Sequence, residues 1–128
     1  DGIYLNIVSR YRSYDVQEYL YKSYEEKYTN VDTFSAKPGY SEHQTGLAFD
    51  LNGEDPRTSV KDKFEFTKEY EWLRNNAYKY GFILRYPKGK SDITGYKFEP
   101  WHYRYVGANI SYKLREGNAT LEEYLNIY

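Results

Sequence analysis

Not one of the 128 residues is a cysteine. Whatever this chain folds into must stand on packing and polar contacts alone, with no disulfide staple. The length allows it. One core of this size buries roughly 65–70% of the surface the unfolded chain exposes, whereas two separate cores would be too small to be stable. A single domain over residues 1–128 is expected. The missing thiols also exclude a cysteine nucleophile and every cysteine-ligated metal site. Only two histidines are present, His43 and His102. Any metal site must use one or both, completed by carboxylates.

Charge narrows the partners. Lys and Arg total 18 against 19 Asp and Glu, a formal charge of −1, which lacks the basic footprint of a nucleic-acid binder. No apolar run approaches the ~20 residues of a membrane-spanning helix, so no transmembrane segment is expected. The chain opens abruptly at Asp1-Gly2-Ile3-Tyr4 without a signal peptide. A processed or trimmed chain is expected, and the compartment stays open. Tyrosine is unusually common, at 18 residues. Its flat face and polar tip suit sugar or peptide surfaces, but core-like spacing predicts that most of them replace Phe and Leu inside.

Periodicity and punctuation place the elements. Ile7-Val8-Ser9 reads as a strand, and Ser13 as the cap of a helix of about four turns. Val16, Tyr19, Leu20, Tyr24 and Tyr28 would line that helix's apolar face. Residues 30–44 read as a loop, 47–51 as a buried strand, and 52–56 as a turn. Phe66, Tyr70, Leu73, Ala77 and Tyr80 recur at steps of 4, 3, 4 and 3, which predicts a helix stopped by Gly81. A strand over 82–86, a polar loop over 87–95 and an extended segment over 98–106 follow. A short helix over 109–115, ending at Gly117, precedes a last helix opened by the Thr120–Glu123 capping box and ending near Ile127. The interleaving predicts an α+β fold, with helices packed on a small, mainly antiparallel sheet.

Two segments hold the unusual chemistry. In Ser41-Glu42-His43-Gln44-Thr45-Gly46-Leu47-Ala48-Phe49-Asp50, a histidine ends a loop and an aspartate sits inside an apolar strand. Aspartate is rarely buried unless paired or metal-bound, and Gly46 permits a turn that aims both at one centre. In Glu99-Pro100-Trp101-His102-Tyr103, a regular strand would put Glu99 and His102 on opposite faces. Pro100 breaks that regularity and lets a kink bring them together. Catalytic zinc takes three protein ligands plus water, and His43, Asp50 and His102 make up that number. Glu99 is then a free carboxylate beside the water, where a base is needed. Taken singly, each residue has a plainer role: either histidine as a core or surface group, Asp50 as a cap, Glu99 as a surface charge. No H-E-x-x-H helix is present, which excludes the common zinc-protease helix.

The pattern Ser41-x-His43-x-x-Gly46-x-Ala48-x-Asp50, followed by Glu99-x-x-His102, resembles the paired signature of the VanY-type zinc D-alanyl-D-alanine carboxypeptidases. That group shares a zinc fold with lysostaphin-type and Hedgehog-type proteins. The Ser9-Arg10-Tyr11-Arg12-Ser13-Tyr14 segment with Gln17, residues 82–87 and residues 99–107 extend the likeness over nearly the whole chain. It is nearest the LdcB-like L,D-carboxypeptidase branch. Arg10 departs from the family's usual glycine, which touches no ligand, and further N-terminal sequence common in the family is absent from this chain.

The resemblance implies one zinc on His43, Asp50 and His102, with Glu99 as catalytic base. It implies that Arg12 faces the scissile carbonyl or the terminal carboxylate, a task suited to its planar, permanently charged fork. Gln17, Ser41 and Tyr86 match positions that hold the C-terminal D-Ala. Trp101 matches a support beneath His102 or a floor of the peptide cleft. The implied activity is removal of D-Ala from peptidoglycan stem peptides outside the cytoplasmic membrane, by a monomer, from a tetrapeptide (L,D) or a pentapeptide (D,D). Also open are a D,D-dipeptidase, a wall endopeptidase, and a non-catalytic zinc-stabilised wall-binding module.

Overall fold

A computed structural model describes residues 1–128. The elements run β1 (Asn6–Ser9), α1 (Tyr14–Glu25), β2 (Ala48–Asn52), α2 (Lys68–Asn76), β3 (Phe82–Leu84), α3 (Ser91–Thr94), β4 (His102–Tyr105), α4 (Ala108–Gly117) and α5 (Leu121–Leu125), with five 3-10 turns in the connections between α1 and β3. Hydroxyl caps set three of the helix starts. Ser13 accepts from the Val16 amide, Thr67 from Tyr70, and Thr120 from Glu123, whose carboxylate returns the bond to the Thr120 amide. Left-handed Gly81 closes the α2 region at φ 87°, a conformation that glycine adopts without steric cost.

The four strands form one antiparallel sheet in the order β1-β2-β4-β3, so the expected α+β class is the observed one. Register decides what each face carries. Phe49 lies opposite Tyr103, and Leu84 opposite Tyr103 on its other side. These face a core of Phe64, Tyr70, Leu73, Ala77, Trp101 and Tyr103. Asp50 lies opposite His102, and Ala48 opposite Arg104. By strand alternation they occupy the other face. One face therefore holds the hydrophobic core and the other holds the polar chemistry. No helix is long and apolar enough to cross a membrane.

The structure corrects several expected elements. The helix expected from Phe66 to Tyr80 is α-helical only over Lys68–Asn76, between 3-10 turns at Asp62–Phe66 and Ala77–Tyr80. Thr67 is extended in order to cap α2, which breaks the period after Phe66. Phe66 is 82% exposed, and Phe64 enters the core in its place. Helix α1 buries Gln17 and Tyr21 instead of its apolar stripe, leaving Val16, Tyr19 and Tyr28 exposed. Its inward face meets a polar site, so polarity there is satisfied rather than excluded. Extended pairing is shorter than expected at β3 and β4, because the chain bends at Arg85–Tyr86 and turns at Pro100–Trp101. The expected loops at 30–44 and 87–95 contain 3-10 turns at Val31–Thr33 and Glu42–Thr45 and the short α3. The last helix stops at Leu125, with Asn126 left-handed. Most tyrosines are not core residues: eleven are exposed, while only Tyr21, Tyr70, Tyr86 and Tyr103 are buried.

Phe64→Ala should destabilise the fold by about 3–5 kcal/mol, whereas Phe66→Ala should change stability by less than about 0.5 kcal/mol. Urea unfolding of the two variants checks this, and equal losses would contradict the assignment of Phe64 to the core.

Candidate metal centre

Ser41 begins the construction. Its hydroxyl accepts from the His43 amide, and the 3-10 turn Glu42–Thr45 closes on left-handed Gly46 at φ 77°. The turn delivers His43 to the sheet just ahead of β2, as the spacing of His43, Gly46 and Asp50 predicts. His43 Nδ1 lies 2.7 Å from the Arg10 carbonyl oxygen. A carbonyl only accepts, so Nδ1 carries the proton and Nε2 presents its lone pair. That lone pair faces Asp50 Oδ1 at 3.3 Å. Position 10 contributes only its backbone carbonyl here and does not have a positive φ, so arginine serves where the family pattern has glycine.

Across the β2–β4 ladder, His102 Nδ1 approaches the same Asp50 oxygen at 3.1 Å. Donor atoms from His43, Asp50 and His102 all lie within 4.8 Å of one another, and all three residues are buried. Burial alone would raise the Asp50 carboxyl, but the hydrogen bond from His102 leads the contacts that outweigh it and hold the group well below the usual carboxylate range. Burial would lower His102, yet its bonds to Asp50 and Glu42 push it up to about 9. The pocket thus stabilises a positive charge between the carboxylate and the rings. A divalent ion fits there: two imidazole nitrogens and one carboxylate oxygen are a zinc donor set with an open fourth position.

Glu99 stands beside this group and outside it. The chain turns at Pro100, with the His102 amide bonded to the Glu99 carbonyl at 3.2 Å, and this kink puts both side chains on one side. Glu99 Oε2 is 3.8 Å from His102 Nδ1, and the side chain is buried. Burial, followed by the charges of Asp50 and Glu42, pushes its carboxyl up to about 7 against the pull of His102. A buried carboxylate poised near neutrality suits proton transfer.

Arg12 donates to Gln17 Oε1 at 2.8 Å and to Ser9 Oγ at 3.0 Å. Gln17, only 1% exposed, donates in turn to the Ala36 carbonyl at 2.6 Å. The guanidinium is therefore held from behind by α1. Tyr86 stacks on the His102 ring at 4.9 Å and on Tyr96 at 4.6 Å. Trp101 is part of the hydrophobic core below. All nine residues singled out in the sequence border one cleft of about 350 Å³, which continues past Tyr24, Tyr28, Phe34 and Lys97. Sequence reasoning passed over Glu42, which hydrogen-bonds His102 Nε2 at 3.3 Å. Its one signal was its place between Ser41 and His43 in the motif. Burial would raise Glu42, but His102 and Arg85 bring it down to about 2.

A family model described as VanY, D-alanyl-D-alanine carboxypeptidase, matches residues 1–108. The chain belongs to the VanY family. A putative carboxypeptidase of Bacillus subtilis (strain 168), YodJ, is 43% identical over 129 residues, covering 97% of this chain and 46% of that protein. This VanY-family chain thus spans about half the length of that curated relative. A structure of the LdcB LD-carboxypeptidase superposes with a TM-score of 0.90 at 43% identity, covering 98% of this chain and 59% of the other. The vancomycin-resistance D,D-pentapeptidase VanY of a VanB-type cassette, a mutant in complex with Zn(II), superposes with a TM-score of 0.82 at 40% identity, covering 98% and 73%.

Metal-free folded protein keeps a proton on Glu99 that the unfolded chain releases above about pH 4.5. Stability from this group is intact below that value and is lost as the pH rises through about 7. In chelator-treated protein, Glu99→Gln should melt several degrees above the wild type near pH 8 and level with it below about pH 4.5. Thermal unfolding across that range checks this. A gap that does not change with pH would contradict it.

Proposed function

We propose that this VanY-family domain is a zinc carboxypeptidase that removes the C-terminal D-Ala from peptidoglycan stem peptides. The observation that carries the reading is the buried His43–Asp50–His102 group with Glu99 beside it. A zinc ion held by those three residues would supply Lewis-acid polarisation of the scissile carbonyl and a water acidic enough to ionise near neutral pH. Glu99 is close enough to take the water's proton and return it to the leaving amine. Arg12 offers two fixed donors to the terminal carboxylate or to the oxygen of the carbonyl under attack. Gln17 orients Arg12, and Ser41 holds the His43 turn while bordering the cleft. Tyr86 stacks on the His102 ring, and Trp101 anchors the adjoining turn in the hydrophobic core. The cleft has no cysteine, and no serine–histidine pair with nucleophile geometry is formed: the Ser41 hydroxyl accepts from the His43 backbone amide. Direct attack by water is the mechanism these residues support.

The L,D reading, on a tetrapeptide ending L-Lys (or diaminopimelate)-D-Ala, is favoured over the D,D reading. The likeness to the LdcB structure is higher, 0.90 against 0.82. The cleft also continues from the donors along Tyr24, Tyr28 and Phe34, where a long acyl side chain has room. Such shape discrimination is worth about 1–3 kcal/mol, so slower turnover of pentapeptide accompanies it. The substrate places the enzyme outside the cytoplasmic membrane, where it acts as a monomeric domain spanning residues 1–128.

With equal amounts of tetrapeptide and pentapeptide, mass spectrometry should show D-Ala released faster from the tetrapeptide. Release from the pentapeptide alone would overturn the L,D reading, and release from neither would overturn the carboxypeptidase reading. Glu99→Ala should keep bound zinc and lower turnover by ~10²–10⁴-fold. Near-normal turnover in this variant would remove Glu99 from the mechanism.

A further inference from the structure

We propose that Glu42 is a positioning residue of the metal centre, selecting the His102 orientation that leaves Nδ1 free to ligate, and that Arg85 ties this carboxylate to helix α5. The inference rests on the reading of His102 as a metal ligand. Glu42 Oε2 lies 3.3 Å from His102 Nε2. Without metal both ring nitrogens donate, Nδ1 to Asp50 at 3.1 Å and Nε2 to Glu42; only Nδ1 lies on the side where Asp50 and His43 converge, so when it gives up its hydrogen to ligate, the remaining one stays on Nε2 against Glu42. Tyr86 stacks on the ring face, which holds the ring's plane but cannot decide which edge points at Asp50. The two edge partners decide, Asp50 at Nδ1 and Glu42 at Nε2, and once a metal takes Nδ1 only Glu42 still accepts a hydrogen from the ring.

Glu42 is itself held in place. Its other oxygen, Oε1, accepts from Arg85 Nε at 2.5 Å and from Arg104 Nη1 at 2.9 Å. Arg85 turns its two terminal nitrogens onto Glu122, at 2.8 and 2.5 Å. Glu42, Arg85 and Glu122 are each about a tenth exposed, so the chain His102–Glu42–Arg85–Glu122 runs through the interior. Buried ions persist when each is paired and hydrogen-bonded, and here Glu42 and Arg85 each have a partner on both sides. Glu122 lies in α5, beyond the residues 1–108 matched by the family model. The last helix is thereby connected to the metal centre through three charged side chains, although it contributes no ligand.

Glu42→Gln separates positioning from bulk. Arg85 and Arg104 are donors only, so they retain the introduced amide's oxygen, and its NH₂ faces His102 Nε2. Donor then meets donor at Nε2, so the ring keeps its one hydrogen on Nδ1, where Asp50 accepts it, and the ligand position is blocked. Zinc affinity, measured by competition with a chromophoric chelator, should fall roughly 10–100-fold, the usual effect of losing a ligand's supporting hydrogen bond. The metal-free melting temperature should fall as well, because Arg85 and Arg104 lose a buried charged partner, so zinc affinity is read on folded protein well below that temperature. Glu122→Gln, which never touches His102, should weaken zinc binding by less. Nitrogen NMR of the zinc-loaded wild type should show a protected hydrogen on His102 Nε2, a measurement that needs no variant.

Equal zinc affinity in Glu42→Gln and wild type, or a zinc-loaded His102 with its hydrogen on Nδ1, would overturn the proposal and leave the metal site standing. A wild type that binds no zinc would overturn the metal reading itself. Unchanged affinity in Glu122→Gln would remove α5 from the chain.

Discussion

Asp50 and His102 face each other across the β2–β4 ladder, and the site is arranged around that pair. A carboxylate inside a sheet is costly to bury unless cations or strong donors surround it. Two imidazoles converge on one of its oxygens, at 3.1 and 3.3 Å, and both come from short, well-defined structures. His102 arrives by strand register, which cannot slip by one residue without turning Tyr103 out of the core. His43 arrives by a 3-10 turn closed by Gly46 and anchored to the Arg10 carbonyl. The hydrophobic core on one face of the sheet therefore sets the donor geometry on the other.

Outside the donors, the surroundings are polar but partnered. Glu42, Arg85, Arg104 and Glu122 lie on the sheet's site face or just above it, and their charges are matched in pairs. On the opposite wall, Gln17 links Arg12 to the backbone at Ala36. Glu99 is the exception, a buried carboxylate without a hydrogen bond in the metal-free protein. Its carboxyl, raised by burial, suits the proton transfer proposed for it.

The sequence made the site more legible than the helices. His43, Asp50, Glu99 and His102 could be singled out because a chain with two histidines and no cysteine offers few ways to hold a metal. The break that Pro100 makes in the strand also explains why Glu99 and His102 meet. Helix α1 departs from its apolar pattern because its inward face meets polar groups. Gln17 is buried there as a hydrogen-bonding residue, which hydrophobic periodicity does not detect. The helix around Leu73 is shorter than its period because Phe66 falls on that period by chance, while the Thr67 cap, a local hydrogen bond, begins the element after it. Tyrosine misled for a related reason: its ring counts as apolar, but its hydroxyl lets it remain at the surface. Glu42 was hidden because its importance depends on Arg85, Arg104 and Glu122, which are far away in sequence and meet only in the fold.

The assignment of the metal to His43, Asp50 and His102 is tested most directly by diffraction from zinc-loaded crystals, with data collected on both sides of the zinc absorption edge. The account predicts a single anomalous peak within bonding distance of His43 Nε2, Asp50 Oδ1 and His102 Nδ1. A peak elsewhere, or no peak with the two imidazoles turned away from Asp50, would contradict it.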